Sequence, residues 1–207
     1  MADKAKREKK ERKGAVCITL GVIMVLSAVG LWGYNRYDAD RADKASKEIV
    51  VSLKTQMPEK QSSQFEAYPQ RKMVAVTAEP DGEKWIGIVK IPSLEVELPV
   101  AEEFSYDNLN VGACRCNGSA YTNDLVIAAH NFYNHFGRLD NLSIGDEIVF
   151  YDFEGKVHYY VVSSQEIVQP TDVDGMYIDP DDDWDLTLFT CTWSGQTRFT
   201  VRCVRKQ

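Results

Sequence analysis

The chain holds 207 residues with 24 Lys and Arg against 31 Asp and Glu, a formal net charge of −7. The charge is unevenly spread: Lys4-Ala-Lys-Arg-Glu-Lys-Lys-Glu-Arg-Lys13 is strongly basic, so the rest is more acidic than the total indicates. An acidic globular part repels phosphate, which argues against nucleic acid as its partner. The five cysteines (Cys17, Cys114, Cys116, Cys191 and Cys203) are odd in number and irregular in spacing, a poor disulfide framework. Cys114-Arg-Cys116 has no second ligand pair at metal spacing, and His130, His135 and His158 do not supply one, so no metal site is expected.

Gly14 to Tyr34 contains no charged residue. At about 1.5 Å per residue such a helix reaches roughly 30 Å, the thickness of a bilayer core. Trp32 and Tyr34 stand at its far end, where aromatic side chains meet headgroups. With the basic run just before it, the positive-inside rule keeps the N-terminus cytoplasmic and exports the chain beyond Tyr34. A cleaved signal peptide is the alternative, but its apolar core is shorter, and Ser27-Ala-Val-Gly30 is only a loose cleavage site. The expected organisation is a basic cytoplasmic tail (1–13), a transmembrane signal-anchor (14–34), a stalk or helical region (35–80) and a globular domain (81–207).

Between Arg36 and Gln64 the chain is polar, with apolar residues at Ile49, Val50, Leu53 and Met57. That spacing suits a helix ending near Met57-Pro58, because proline restricts the residue before it. Two readings stay open, a solvated stalk and a helix packed on the domain. Gln61-Ser-Ser-Gln64 reads as linker.

From Trp85 onward short β-type runs take over. Trp85–Ile91 is followed by Pro92-Ser93 and by Leu94–Leu98, whose alternation puts Leu94, Val96 and Leu98 on one face. Asp124–His130 is a mostly apolar run ending at a histidine, and Phe136–Asn141 suggests a helical turn. Asp146–Tyr151 and Lys156–Val162 form a hairpin around Asp152-Phe-Glu-Gly155; Leu186–Cys191 and Arg198–Val204 form another around Trp193-Ser-Gly-Gln196. Many short strands with tight turns and little helix predict an all-β domain with minor helices, a closed or nearly closed barrel.

A cysteine ending a strand is more often a small buried hydrophobe than a nucleophile. Cys191 is distinguished by its company. His130 ends another apolar strand, and Arg198 opens the strand across the hairpin, where residues placed symmetrically about the turn become neighbours. Such a trio can supply nucleophile, proton-transfer group and oxyanion stabiliser.

At these residues the sequence resembles the sortase family. Leu186-Thr-Leu-Phe-Thr-Cys191 is similar to its TLxTC signature, with Arg198 at the place of its essential arginine. Leu125-Val-Ile-Ala-Ala-His130-Asn131 is similar to the strand carrying its histidine, and Ile88–Val100 to its opening IPxIxxxLPV hairpin. The resemblance covers about residues 84–206, plus the anchor. It implies an eight-stranded sortase-type β-barrel after an N-terminal transmembrane helix. It also implies transpeptidation: Cys191 cuts an LPxTG-like sorting signal at the Thr–Gly bond through a thioacyl enzyme, and an amine resolves it. That amine would be a peptidoglycan precursor or a pilin lysine, His130 would move the protons and Arg198 would stabilise the oxyanion. Thr190, Ala129 and Asn131 would bind substrate, at the outer face of a Gram-positive-type membrane. A free thiol titrates near 8.5, and the family is described as working through the minor population with thiolate and imidazolium both present.

Other residues have plainer readings. His135 reads as an exposed loop histidine, His158 as structural, Cys203 as a packed thiol, and Cys114 and Cys116 as free thiols. Asp179-Pro-Asp-Asp-Asp-Trp-Asp185 borders the groove in the family and lacks the oxygen spacing of a calcium loop, so no cofactor is expected. His130-Asn131 and the long N-terminal region resemble class B; the short loop before Leu186 points to classes A or D, and pilus polymerisation is less favoured. The rivals are a membrane-tethered peptide-binding barrel without catalysis and a cysteine hydrolase.

Overall fold

The computed structural model describes residues 2–58, 72–78 and 82–206, and of residues 2–13 the helical backbone alone. The chain divides into two compact units, residues 1–41 and 42–207. Helix α1, Ala2–Gln56, begins in the first and ends in the second. In the first unit it carries an exposed window of mean hydropathy 2.4, long and apolar enough to cross a membrane.

In the second unit the last turns of α1 bury Ala42, Ser46, Ile49, Val50 and Leu53. Those positions recur at three and four residues, so they share one face of the helix. The apolar ones among them, Ile49, Val50 and Leu53, pack with Trp85, Ile88, Ala101, Ala128 and Phe153. Of the two readings of this region, the packed helix is therefore the one found. The helix stops at Gln56, ahead of Pro58, as the sequence predicts. The linker reading of 61–64 lies outside the described residues.

Among the described residues nine strands succeed the helix: β1 Val76–Thr77, β2 Lys84–Ile91, β3 Val96–Ala101, β4 Ala113–Asn117, β5 Leu125–Ala129, β6 Glu147–Asp152, β7 Val157–Val168, β8 Leu186–Cys191 and β9 Arg198–Arg205. A one-turn helix α2, Tyr106–Leu109, sits between β3 and β4 and is capped by the Ser105 hydroxyl accepting from the Asn108 N–H. The sheet runs β2-β3-β4-β5-β8-β9-β7-β6 and closes through β6 with β2, making the eight-stranded barrel; β1 adds a two-residue strip beside β2. The pairs β3–β4 and β5–β8 are parallel and the others antiparallel. Closure depends on Gly87, because a Cβ there would stand 2.2 Å from the Tyr151 carbonyl oxygen on β6. Only glycine permits so close a backbone approach.

Both hairpins foreseen in the sequence form, but β7 runs on to Val168. The pairing with β9 slips between Val162 and Ser164, which breaks the alternation that would have marked the extension. β4 was not foreseen, since Ala-Cys-Arg-Cys-Asn carries no apolar alternation; β5 on one side recruits it. The barrel interior holds Ile86, Val89, Leu98, Leu125, Ile127, Phe150, Tyr160, Leu188 and Val201.

Away from Cys191, the ends of β6 and β9 enclose a polar network. His158 Nε2 lies 2.9 Å from Asp152 Oδ2, and Arg205 Nη1 lies 3.1 Å from His158 Nδ1. A guanidinium only donates, so Nδ1 accepts and the Nε2 proton goes to Asp152; His158 is a neutral imidazole. Tyr121 donates to Asp152 at 2.6 Å and also to Glu154. Burial lowers the His158 pKa further than the Asp152 hydrogen bond raises it. The Asp152 carboxyl is held low despite its burial by His158, Tyr121 and the Lys156 N–H.

Acid should therefore unfold this domain early. The depressed His158, and His135 whose burial lowers its pKa to about 4, bind a proton in the unfolded chain before the folded one. Stability is full above the unfolded value near 6.5 and falls as pH drops below it, with Asp152 adding its loss only in stronger acid. Urea titrations at pH 7.5 and pH 5 should show a loss of about 2–3 kcal/mol, with a smaller loss in His135→Phe.

Candidate active site

Cys191 is the last residue of β8, and the parallel partner of β8 is β5. Their register aligns Ala128 with Phe189, so β5 runs out at Ala129, just ahead of His130, toward the same edge at which β8 ends in Cys191. Thr190 Oγ1 donates to the Ala129 carbonyl at 2.8 Å and holds the two strand ends together. On the other flank, β9 starts at Arg198 directly opposite Cys191. The connecting turn is tight: Gly195 N–H donates to Thr192 O at 2.8 Å, and Thr192 and Thr197 are joined by backbone and hydroxyl contacts. Cysteine, histidine and arginine thus meet at one rim of the barrel.

Half-buried His130 heads a folded-back loop. Its carbonyl accepts from Phe136 N–H at 3.1 Å, and its ring centroid lies 5.0 Å from that of Phe132. Arg198 Nη1 donates to the carbonyls of Thr197 at 3.2 Å and Gly195 at 3.3 Å. The guanidinium so described is held by the turn carbonyls, with long bonds that exchange at little cost.

The proposed substrate residues sort unequally. Thr190 and Asn131 line a cleft of about 260 Å³ that opens onto Cys191. Asn131 Nδ2 reaches the Thr192 carbonyl at 3.5 Å. Ala129 is buried, and its carbonyl is occupied by Thr190. The cleft wall is largely apolar: Phe136, Leu139, Ile167 and Phe199, with Trp193 at the edge, 87% exposed. The sequence reading missed that wall. The alternation in Arg198–Val204 could have singled out Phe199, whereas Ile167 lies on the unforeseen stretch of β7. A larger cleft of about 450 Å³ between the end of α1 and strands β2 and β6 has neither thiol nor imidazole among its described residues.

Three other thiols, Cys114, Cys116 and Cys203, are buried or half-buried in the barrel unit, whereas Cys17 is exposed on α1. Burial pushes Cys114 up to about 11, Cys116 up to about 12 and Cys203 higher still. No cysteine among them is paired. Among the described residues no three His, Cys, Asp or Glu side chains converge as metal ligands.

His135 is a correction. It is fully buried rather than exposed, because its loop turns inward: its N–H donates to Phe132 O at 3.0 Å and its ring lies 5.4 Å from Phe132. Neither ring nitrogen has a hydrogen-bond partner among the described residues. Gly137 makes the turn feasible, since a Cβ there would meet Asn131 O at 2.4 Å. Gly137→Ala should push the loop off His130. We expect catalytic rate to fall about tenfold or more while stability drops by about 1–3 kcal/mol, read by kinetics beside thermal melting.

Comparison with known proteins identifies the family. Residues 89–206, more than half of the chain, match the model of the sortase domain family. Sortase A of Bacillus anthracis is 30% identical over 157 residues, 70% of this chain and 75% of that protein. The solved structure of Clostridium perfringens sortase C with the C-terminal cell wall sorting motif is 28% identical, with a TM-score of 0.53, over 62% of this chain and 76% of its own. Sortase C of Clostridium perfringens SM101 is 25% identical with a TM-score of 0.52, over 83% of this chain and 90% of its own.

Proposed function

The chain belongs to the sortase family of cysteine transpeptidases, and on that premise we propose that it cuts an LPxTG-like sorting signal and joins the acyl fragment to an amine outside the cell. The observation that supports this reading is the shared rim, where Cys191 pairs with Arg198 and the parallel strand beside it runs out just before His130. Cys191 Sγ, as thiolate, attacks the Thr carbonyl carbon. Arg198 leaves its long bonds to the Gly195 and Thr197 carbonyls for the developing oxyanion, where a donor in a sheltered site acts most strongly. His130 protonates the departing glycine nitrogen, the C–N bond breaks and a thioester remains. An incoming amine gives its proton back to His130, attacks the thioester carbonyl and releases the thiolate, so no proton or electron is left over.

The apolar wall of Phe136, Leu139, Ile167 and Phe199 suits the Leu-Pro end of such a peptide, with Asn131, Thr190 and Ala129 shaping its approach to the thiol. The acceptor is a peptidoglycan precursor or a pilin lysine. Residues 14–34 anchor the chain, the basic tail stays in the cytoplasm and the barrel, from about residue 81, works on the outer face. Thiol, imidazole and guanidinium complete the chemistry between them, so the reaction needs no cofactor, and EDTA or added Ca²⁺ should leave the rate within about twofold.

The test is a panel of LPxTG-, LPxTA- and NPxTN-type peptides with and without triglycine. Cleavage should vanish in Cys191→Ala, fall about 100-fold or more in Arg198→Lys, and yield triglycine-ligated product. Cleavage surviving in Cys191→Ala would overturn the assignment. Product formed only by water would make the protein a hydrolase, and tight binding without turnover a tethered peptide receptor.

A further inference from the structure

Residues 169–185 carry the chain from β7 to β8. The crossover leaves directly after Ile167 and Val168, and Ile167 lines the cleft; it returns as the strand that ends in Cys191. Its sequence is rich in Asp, and its short apolar run Met176-Tyr177-Ile178 fully buries Met176 alone, so packing is a small part of what holds it. One side chain from β9 holds it as well. Arg202 Nη2 hydrogen-bonds the Glu166 carboxylate on β7 and, at 2.9 Å, the carbonyl of Gly175 in the middle of the crossover. Its guanidinium carbon lies 3.8 Å over the ring of Trp184 near the crossover's end. Trp184 is itself fixed, donating from Nε1 to Thr187 Oγ1 at 3.1 Å.

The Arg202 side chain is only 11% exposed, and its Nη1 is buried without a hydrogen-bond partner among the described residues. Burying a guanidinium is costly unless its donors are used. The position tolerates that cost in exchange for joining three segments that no other described side chain joins. Planar stacking and forked donation from one group are properties of arginine that lysine lacks.

We propose that Arg202 is a positioning residue for the peptide groove: it clamps the β7–β8 crossover and so fixes Ile167 relative to the strand that carries Cys191. The role rests on the reading of the cleft as the groove for a sorting peptide. Arg202 touches no reacting atom, so its effect belongs to peptide capture and not to the chemical step.

The experiment compares the full chain in detergent micelles with Arg202→Ala and Arg202→Lys. Amide hydrogen exchange should quicken about tenfold or more across 170–184 in both variants, while β5 and β8 keep their protection. KM for the cleaved peptide should rise about fivefold or more with kcat within about twofold, the split expected when binding common to the ground and transition states is lost. Lysine that preserves both protection and KM would overturn the clamp, since charge alone would then suffice. So would a kcat that falls in step with kcat/KM, or a crossover whose exchange does not change. Should Arg202→Ala not fold, Trp184→Leu removes the stacking partner and must loosen the same segment. A wild-type chain that cleaves no peptide would count against the groove reading, while the exchange comparison would still decide the clamp.

Discussion

The parallel pairing of β5 with β8 is the constraint on which the site depends. Antiparallel neighbours can be joined by a two-residue turn, but parallel ones require the chain to travel away and return. Two parallel strands also end at the same edge of a sheet, so the residues just beyond them emerge together. Here β8 ends in Cys191 and β5 ends one residue before His130, with Thr190 bonded across to Ala129. The hairpin from β8 to β9 then brings Arg198 to the same edge from the other side. No loop search is needed to assemble the three groups; backbone hydrogen bonding has already done it.

The two ends of the barrel distribute polar chemistry differently. Asp152, His158, Tyr121 and Arg205 are bonded so fully that the tautomer of the imidazole is dictated by its neighbours. That network specifies how β6, β7 and β9 meet. At the Cys191 rim short bonds such as Thr190 to Ala129 stand beside long or missing ones: Arg198 at 3.2–3.3 Å from carbonyls, Asn131 at 3.5 Å, and a buried His135 with no acceptor or donor among the described residues. An unsatisfied buried polar group costs on the order of 1–3 kcal/mol. The end that binds substrate thus stores unmet bonding capacity, and the opposite end supplies stability.

Much of this was legible in the residues. Alternation marked β3, an apolar run marked β5, turn segments marked the hairpins β6–β7 and β8–β9, and the pairing of Cys191 with Arg198 followed from symmetry about the turn. What escaped had physical reasons. β4 is a strand because β5 and β3 offer it edges on either side, and the tail of β7 is hidden by a slip in register. His135 was misplaced because inward folding of its loop is a matter of backbone bonds to His130 and Phe132, which local composition does not encode. The apolar wall gathers residues from the loop after β5, the end of β7 and the start of β9, a convergence visible only in three dimensions.

The position of β9 has a consequence for how the molecule comes into being. It lies between β8 and β7, both of which precede it in the chain. While a newly made polypeptide is still threading outward, β8 has β5 on one side and an open edge on the other. Cys191 then faces no arginine, and the barrel wall has a gap one strand wide. The rim is complete only after the hairpin beyond Cys191 has slotted home, so the last strand of the chain is the one that closes the barrel wall.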